Sequence, residues 1–73
     1  SIPFFRKAVS IYPYDADLQI RLSIALSSQK ELLSESASAA RKAIELKPAQ
    51  PVYYIQLAHV LAAQGKFDES RKV

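Results

Sequence analysis

Apolar residues recur along this chain at spacings of three and four, in segments that are separated by short stretches containing proline or polar residues. This period places the apolar side chains on one face of an α-helix. Helices are therefore predicted over residues 2–11, 16–29, 33–46, 51–63 and 67–73. The apolar stripes expected to form the core are Leu18, Leu22, Ala25 and Leu26 in the second helix, Leu33, Ala37, Ala40 and Ala43 in the third, and Tyr54, Leu57, Ala58 and Leu61 in the fourth.

Proline, aspartate and glycine mark the predicted boundaries. Pro13 and Pro48 lie just beyond helix ends, where a missing N–H group and a fixed φ angle stop the helix. Asp15 or Asp17 is expected to cap the helix that follows Pro13. Gly65, the only glycine, is expected to adopt a left-handed conformation in a turn after the fourth helix.

The chain contains an internal repeat. Residues 6–13 recur as residues 41–48, with every matched position 35 residues apart and four identities. Residues 22–29 align with residues 57–64 at the same offset, with leucine at both ends of the helical part and a shared glutamine. Two separate blocks with one offset indicate repeated helical units, each of which needs a stacked neighbour to bury its apolar face.

The repeated units resemble a known family. Leu57, Ala58 and Leu61, followed by the run Gln64-Gly65-Lys66-Phe67-Asp68-Glu69, are similar to the tetratricopeptide repeat. That family pairs a leucine and a small residue on its first helix with a turn and an aromatic residue on its second. The sequence departs from the family pattern at Ser23, at Lys30-Glu31 and at Ser36.

The resemblance implies an all-α fold in which antiparallel helix-turn-helix repeats stack as an α/α superhelix. Residues 1–13 would be the second helix of one repeat, residues 16–48 a complete repeat, and residues 51–73 the first helix and the start of the second helix of the next. A chain that begins at Ser1 and supplies about two degenerate repeats is expected to be a fragment of a longer array.

Composition excludes several classes of chemistry. Among 73 residues there is no cysteine and a single histidine, so the usual zinc sites and cysteine nucleophiles are absent. His59 lies within a predicted helix without a positioned catalytic partner, and no glycine-rich loop is present for phosphate. The chain is therefore predicted not to be an enzyme and to need no metal or cofactor. No apolar run approaches the ~20 residues of a membrane-spanning helix.

In the family, the first helix of each repeat lines a concave groove, and the resemblance therefore implies a partner-binding surface on the second and fourth helices. Its branched apolar side chains suit an extended or helical apolar peptide. The same residues would alternatively pack against the next helix of the array. The candidate residues are Asp17, Ile20, Arg21, Ile24, Ser27, Val52, Ile55, Gln56, His59 and Ala62.

Family members that clamp the C-terminal carboxylate of heat-shock chaperones use lysine and asparagine on this face. The corresponding positions here hold Ile20, Ile24, Ile55 and His59, so a chaperone C-terminus is not the expected ligand.

Two other functions remain open at this point. The first is self-assembly, in which the incomplete repeat ends stack on another copy. The second is binding of nucleic acid or an acidic surface through the basic pairs, although the net charge is only +3 and these pairs equally suit a solvated convex face. The basic pairs are Arg6-Lys7, Arg41-Lys42 and Arg71-Lys72.

Overall fold

The computed structural model of the chain describes the backbone of residues 1–70 and the side chains of residues 1–66. Over residues 1–70 the structure is all-α, with no strand, which confirms the all-α class predicted from the sequence. A short 3₁₀ helix (Lys30–Leu32) precedes the third α-helix. The α-helices are α1 (Ile2–Ile11), α2 (Ala16–Leu26), α3 (Leu33–Leu46) and α4 (Pro51–Ser70).

The start of α2 is fixed by its N-cap. The Oδ1 atom of Asp15 accepts a hydrogen bond of 3.1 Å from the backbone N–H of Leu18, which satisfies one of the free donors of the first turn. Of the two aspartates that the sequence offered as caps, Asp15 holds this position. Asp17 lies in the first turn of α2, where a negative charge interacts favourably with the helix dipole.

The end of α2 comes earlier than predicted. The helix ends at Leu26 rather than near Gln29, and a turn leads into the 3₁₀ helix. The hydroxyl groups of Ser27 and Ser28 donate to the backbone carbonyls of Ile24 and Ala25, at 2.8 and 3.1 Å. Serine side chains that bond to nearby backbone groups compete with helix propagation, and two in succession account for the early end.

The prediction of a break at Gly65 is wrong. The α4 helix continues through Gly65 to Ser70, and this glycine does not have a positive φ angle. Glycine permits a left-handed turn but does not require one, and its helical neighbours Ala62, Ala63 and Lys66 favour continuation. Residues 71–73, the end of the helix predicted over 67–73, lie outside the described residues.

Consecutive helices pack as antiparallel neighbours. Near one end of α2 and α3, the Oγ atoms of Ser23 and Ser36 are 3.1 Å apart. Near the other end, Ala16 and Ala43 belong to the same buried cluster, so the two helices run in opposite directions. The α1 helix packs on α2, and α4 packs on α3 and also touches α2.

Within residues 1–66, three apolar clusters form the core. Two of them include small residues at the α2–α3 contact, and in each the alanines allow the helix backbones to approach closely. The third joins α3 to α4. Their buried members are Ala16, Ile20, Ala40, Ala43 and Tyr53 in the first cluster, Leu22, Leu26 and Ala39 in the second, and Leu33, Ala37 and Val60 in the third.

The apolar stripe predicted for α4 is largely wrong. Among residues 51–66 of this helix, Tyr53 and Val60 are the buried ones, whereas Tyr54, Ala58 and Leu61 are exposed. The reason is visible in the composition of residues 51–65, which include no aspartate, glutamate, lysine or arginine. Without charged positions to mark the outer side, spacing alone does not identify which apolar face of the helix is buried.

None of the helices in residues 1–70 combines the length and the apolar character that crossing a membrane requires.

Candidate binding surface

Most of the residues predicted to face a partner lie on the surface of α2 and α4. On α2, the side chains of Asp17, Arg21 and Ile24 are exposed and Ser27 is half-buried. Gln56 on α4 is half-buried. The exposed members on α4 are Val52, Ile55, His59 and Ala62.

Ile20 is an exception, and its predicted role in the surface is corrected. Only 4% of this residue is exposed, and it belongs to the cluster that contains Tyr53, with Leu57 packed against it. Ile20 therefore lies in the seam between α2 and α4, where it contributes to their association rather than to a free surface. The second interpretation of these residues, packing against the next helix, is correct for Ile20.

A small polar network fixes α4 against α2 and α3. The side-chain amide of Gln56 donates to Ser23 Oγ at 3.2 Å, and the hydroxyl of Ser36 donates to the backbone carbonyl of Ser23 at 2.6 Å. Ser23 and Ser36 are fully buried, yet no buried side-chain nitrogen or oxygen among the described residues lacks a partner. A fully satisfied buried network favours one arrangement of the helices, because any shift leaves a polar group unpaired.

Sequence reasoning treated these two serines only as departures from a family pattern. The sequence does hold a signal for this contact. Both serines lie on the inner sides of neighbouring helices, at positions where a small residue is expected. A buried hydroxyl group needs a partner, so two such residues on adjacent helices are candidates for a shared hydrogen bond.

Exposed branched side chains neighbour the residues of this network in the sequence. Ile24 follows Ser23 in α2 and is 54% exposed, and Ile55 precedes Gln56 in α4 and is 66% exposed. Val52, one turn before Ile55, is also exposed. Single exposed apolar residues are ordinary on proteins, but a group of them at a rigid helix contact is typical of an interaction surface.

The charged edge of this surface is internally paired. Arg21 Nε donates to Asp17 Oδ2 at 2.7 Å, and both side chains are well exposed. The hydrogen bond to Asp17, together with the attraction of its charge, raises the pKa of Arg21 above its ordinary value. The guanidinium therefore stays charged at physiological pH, and the pair contributes little net charge next to Ile24.

The basic pairs are partly engaged within the chain. Arg6 forms a two-bonded ion pair with Glu35 on α3, with a shortest distance of 2.7 Å. The Nζ atom of Lys42 lies 5.8 Å from the ring centre of Tyr14, within the range of a cation–π contact. These contacts reduce the positive charge available to an acidic partner. Arg71 and Lys72 lie outside the described residues.

Neither metal sites nor pockets within residues 1–66 give a further candidate site. Within residues 1–66, histidine and carboxylate side chains form no group of three that is able to hold a metal ion. A shallow, open pocket lies at the turn between α1 and α2, lined by residues 11–15. The Asp15 carboxylate in this pocket already caps α2.

Comparison of the chain with protein-family models, with curated proteins and with solved structures found no match to any of them.

Proposed function

We propose that this chain is a protein-interaction scaffold of the tetratricopeptide type, and that the outer surface of α2 and α4 binds an extended or helical apolar peptide. The observation that carries the proposal is the exposure of Ile24, Val52 and Ile55 on two helices that are joined by hydrogen bonds of buried serines. In this proposal, residues 16–48 form one complete repeat, and α4 begins the next repeat of an α/α superhelix.

The rigidity of the surface supports binding. Ile24 and Ile55 project from helices whose relative position is fixed by the contact of Gln56 with Ser23. Binding therefore needs little ordering of the protein, and ordering is a substantial part of the free-energy cost of association. A peptide that carries several apolar side chains on one face would cover these isoleucines.

The ion pair at the edge of the surface determines which charges a ligand can carry. Asp17 and Arg21 satisfy each other when the surface is free, so a ligand is not required to carry a particular net charge. A ligand with its own acidic or basic group at this edge can exchange partners with the ion pair at low cost, because both charges remain in water. His59 and Ala62 bound the surface on α4.

The double variant Ile24→Glu with Ile55→Glu tests this proposal. Peptides are first selected from a random displayed library on the wild-type chain, and their affinity is then measured for each variant by calorimetry. We expect binding to weaken by about tenfold or more, which corresponds to about 1.4 kcal/mol or more, because the two carboxylates would be desolvated under an apolar ligand.

The control is Ile11→Glu, which places one such charge on α1 at a position of similar exposure. Its affinity for the selected peptides should equal that of the wild type. The proposal is wrong if the double variant stays helical by circular dichroism and binds the peptides as tightly as the wild type.

A further inference from the structure

Over residues 51–65, the α4 helix has no charged residue and carries apolar side chains on every side, but only one side of this stretch is buried. A helix that is hydrophobic all round is normally buried all round, since each uncovered apolar face remains in contact with water. Here Tyr53 and Val60 are buried, while a group of side chains on an adjacent side of the helix, spaced four and three residues apart, is exposed. This group, which we name the α4 outer face, consists of Tyr54, Ala58 and Leu61.

The internal repeat shows what kind of surface covers such a face. Thirty-five residues before the α4 outer face, the equivalent positions on α2 are Gln19, Ser23 and Leu26, and all three are buried. The α3 helix provides much of the cover: Ser23 bonds to Ser36, and Leu26 shares a cluster with Ala39. A helix equivalent to α3 is therefore the natural cover for the α4 outer face.

The chain contains one other helix that is equivalent to α3, namely α1. By the same offset, Phe4, Ala8 and Ile11 on α1 correspond to Ala39, Ala43 and Leu46 on α3. Ala39 and Ala43 are buried in the two clusters that join α3 to α2, and Leu46 packs against one of them. On α1, in contrast, Phe4 and Ile11 are among the exposed large apolar residues, and Ala8 is half-buried.

We infer that two copies of this chain associate head to tail, with the α4 outer face of one copy packed on the α1 outer face (Phe4, Ala8 and Ile11) of the next. The contact would reproduce between copies the packing of α3 on α2 within one copy. Neither face as defined includes a charged residue, and Arg6 on α1 is already paired with Glu35 of its own chain. Lys7 borders the α1 outer face, and its long side chain can keep its charged end in water. No charge therefore has to be buried without a partner when the two faces meet.

Such a contact joins two different surfaces. In a pair, one copy therefore keeps a free α1 outer face and the other keeps a free α4 outer face. Heterologous contacts of this kind extend into rows rather than closing into a dimer. Ile55 corresponds to the buried Ile20 and would be covered in the row, whereas Ile24 lies on a face that α4 leaves exposed within the chain. Self-association and peptide binding can therefore be tested separately, because Ile24 takes part only in peptide binding.

Sedimentation velocity over a series of concentrations tests the inference, with one charge placed on each face. The wild-type chain should increase in average mass as its concentration rises. Phe4→Glu and Leu61→Glu should each weaken association by about tenfold or more, because each would bury a carboxylate in an apolar contact. The control Ile24→Glu should associate like the wild type.

Mixing the two charged variants gives the sharpest result. Phe4→Glu retains the α4 outer face and Leu61→Glu retains the α1 outer face, so an equimolar mixture should form a one-to-one heterodimer and stop there. A wild-type chain that stays monomeric at every concentration would overturn the inference. Loss of association in only one of the two variants, or a mixture that forms no heterodimer, would also overturn it.

Circular dichroism shows whether each variant remains helical. If either variant unfolds, Ile11→Glu replaces Phe4→Glu and Tyr54→Glu replaces Leu61→Glu, since each lies on the same face as the residue it replaces and is well exposed. The same outcomes then support or overturn the inference.

Discussion

Replacing Leu26 with alanine is expected to lower the free energy of unfolding at 25 °C by about 2–5 kcal/mol. Leu26 has no exposed surface, and its cluster joins α2 to Ala39 on α3, with Phe5 and Val9 on α1 packed against it. Removing a buried leucine side chain costs about 2–5 kcal/mol, because it loses apolar burial and leaves a cavity. The total stability of a chain of 73 residues is roughly 4–11 kcal/mol, so this loss is a large part of it.

The internal repeat supplies the matched control. Leu61 occupies the equivalent position in α4, and 41% of it is exposed. Leu61→Ala should cost less, about 1–2 kcal/mol, since part of this side chain is already in water and no closed cavity forms. Urea denaturation followed by circular dichroism, at a protein concentration low enough to keep copies apart, measures both. Equal losses for the two variants would contradict the burial described for α2 and α4.

Replacing Ala40 with leucine is expected to lower the melting temperature by about 5–20 °C. Ala40 has no exposed surface and lies in the cluster with Ile20 and Tyr53, where α2, α3 and α4 meet. A larger side chain has no space at this contact and forces the helices apart, at a typical cost of about 1–3 kcal/mol. For a domain of this size, 1 kcal/mol changes the melting temperature by about 4–8 °C.

Ala62→Leu is the control for this substitution. It makes the same change of side chain within a helix, but Ala62 is exposed. Alanine and leucine have similar helix propensities, so the melting temperature should change by less than about 4 °C. The close approach of the helices at Ala40 would be disproved if both variants melted at the temperature of the wild type.

The sequence predicts the helices well because their signals are local. A period of three and four residues, Asp15 before α2 and proline after α1 and α3 each act within a few residues of the element they define. The errors in helix boundaries come from residues that can either continue a helix or end it. Gly65 is able to turn or to continue a helix, and the hydroxyl groups of Ser27 and Ser28 end α2 through bonds that propensity alone does not reveal.

The binding surface is predicted less completely because burial depends on distant parts of the chain. Ile20 and Ile24 are one helical turn apart and chemically identical, yet Ile20 is covered by α4 and Ile24 is exposed. Nothing in their local sequence separates them. Likewise, the link from Ser23 to Gln56 joins residues 33 positions apart, and only the packing of the helices brings them together.

The central claim is that the outer surface of α2 and α4 binds an apolar peptide. The most direct test is an NMR titration that observes the isoleucine methyl groups, with a library-selected peptide added to Phe4→Glu protein so that the proposed association of copies is blocked. We predict that the methyl signals of Ile24 and Ile55 shift and show contacts to the peptide, while that of Ile11 stays in place. Shifts at Ile11 without any at Ile24 and Ile55 would contradict the claim.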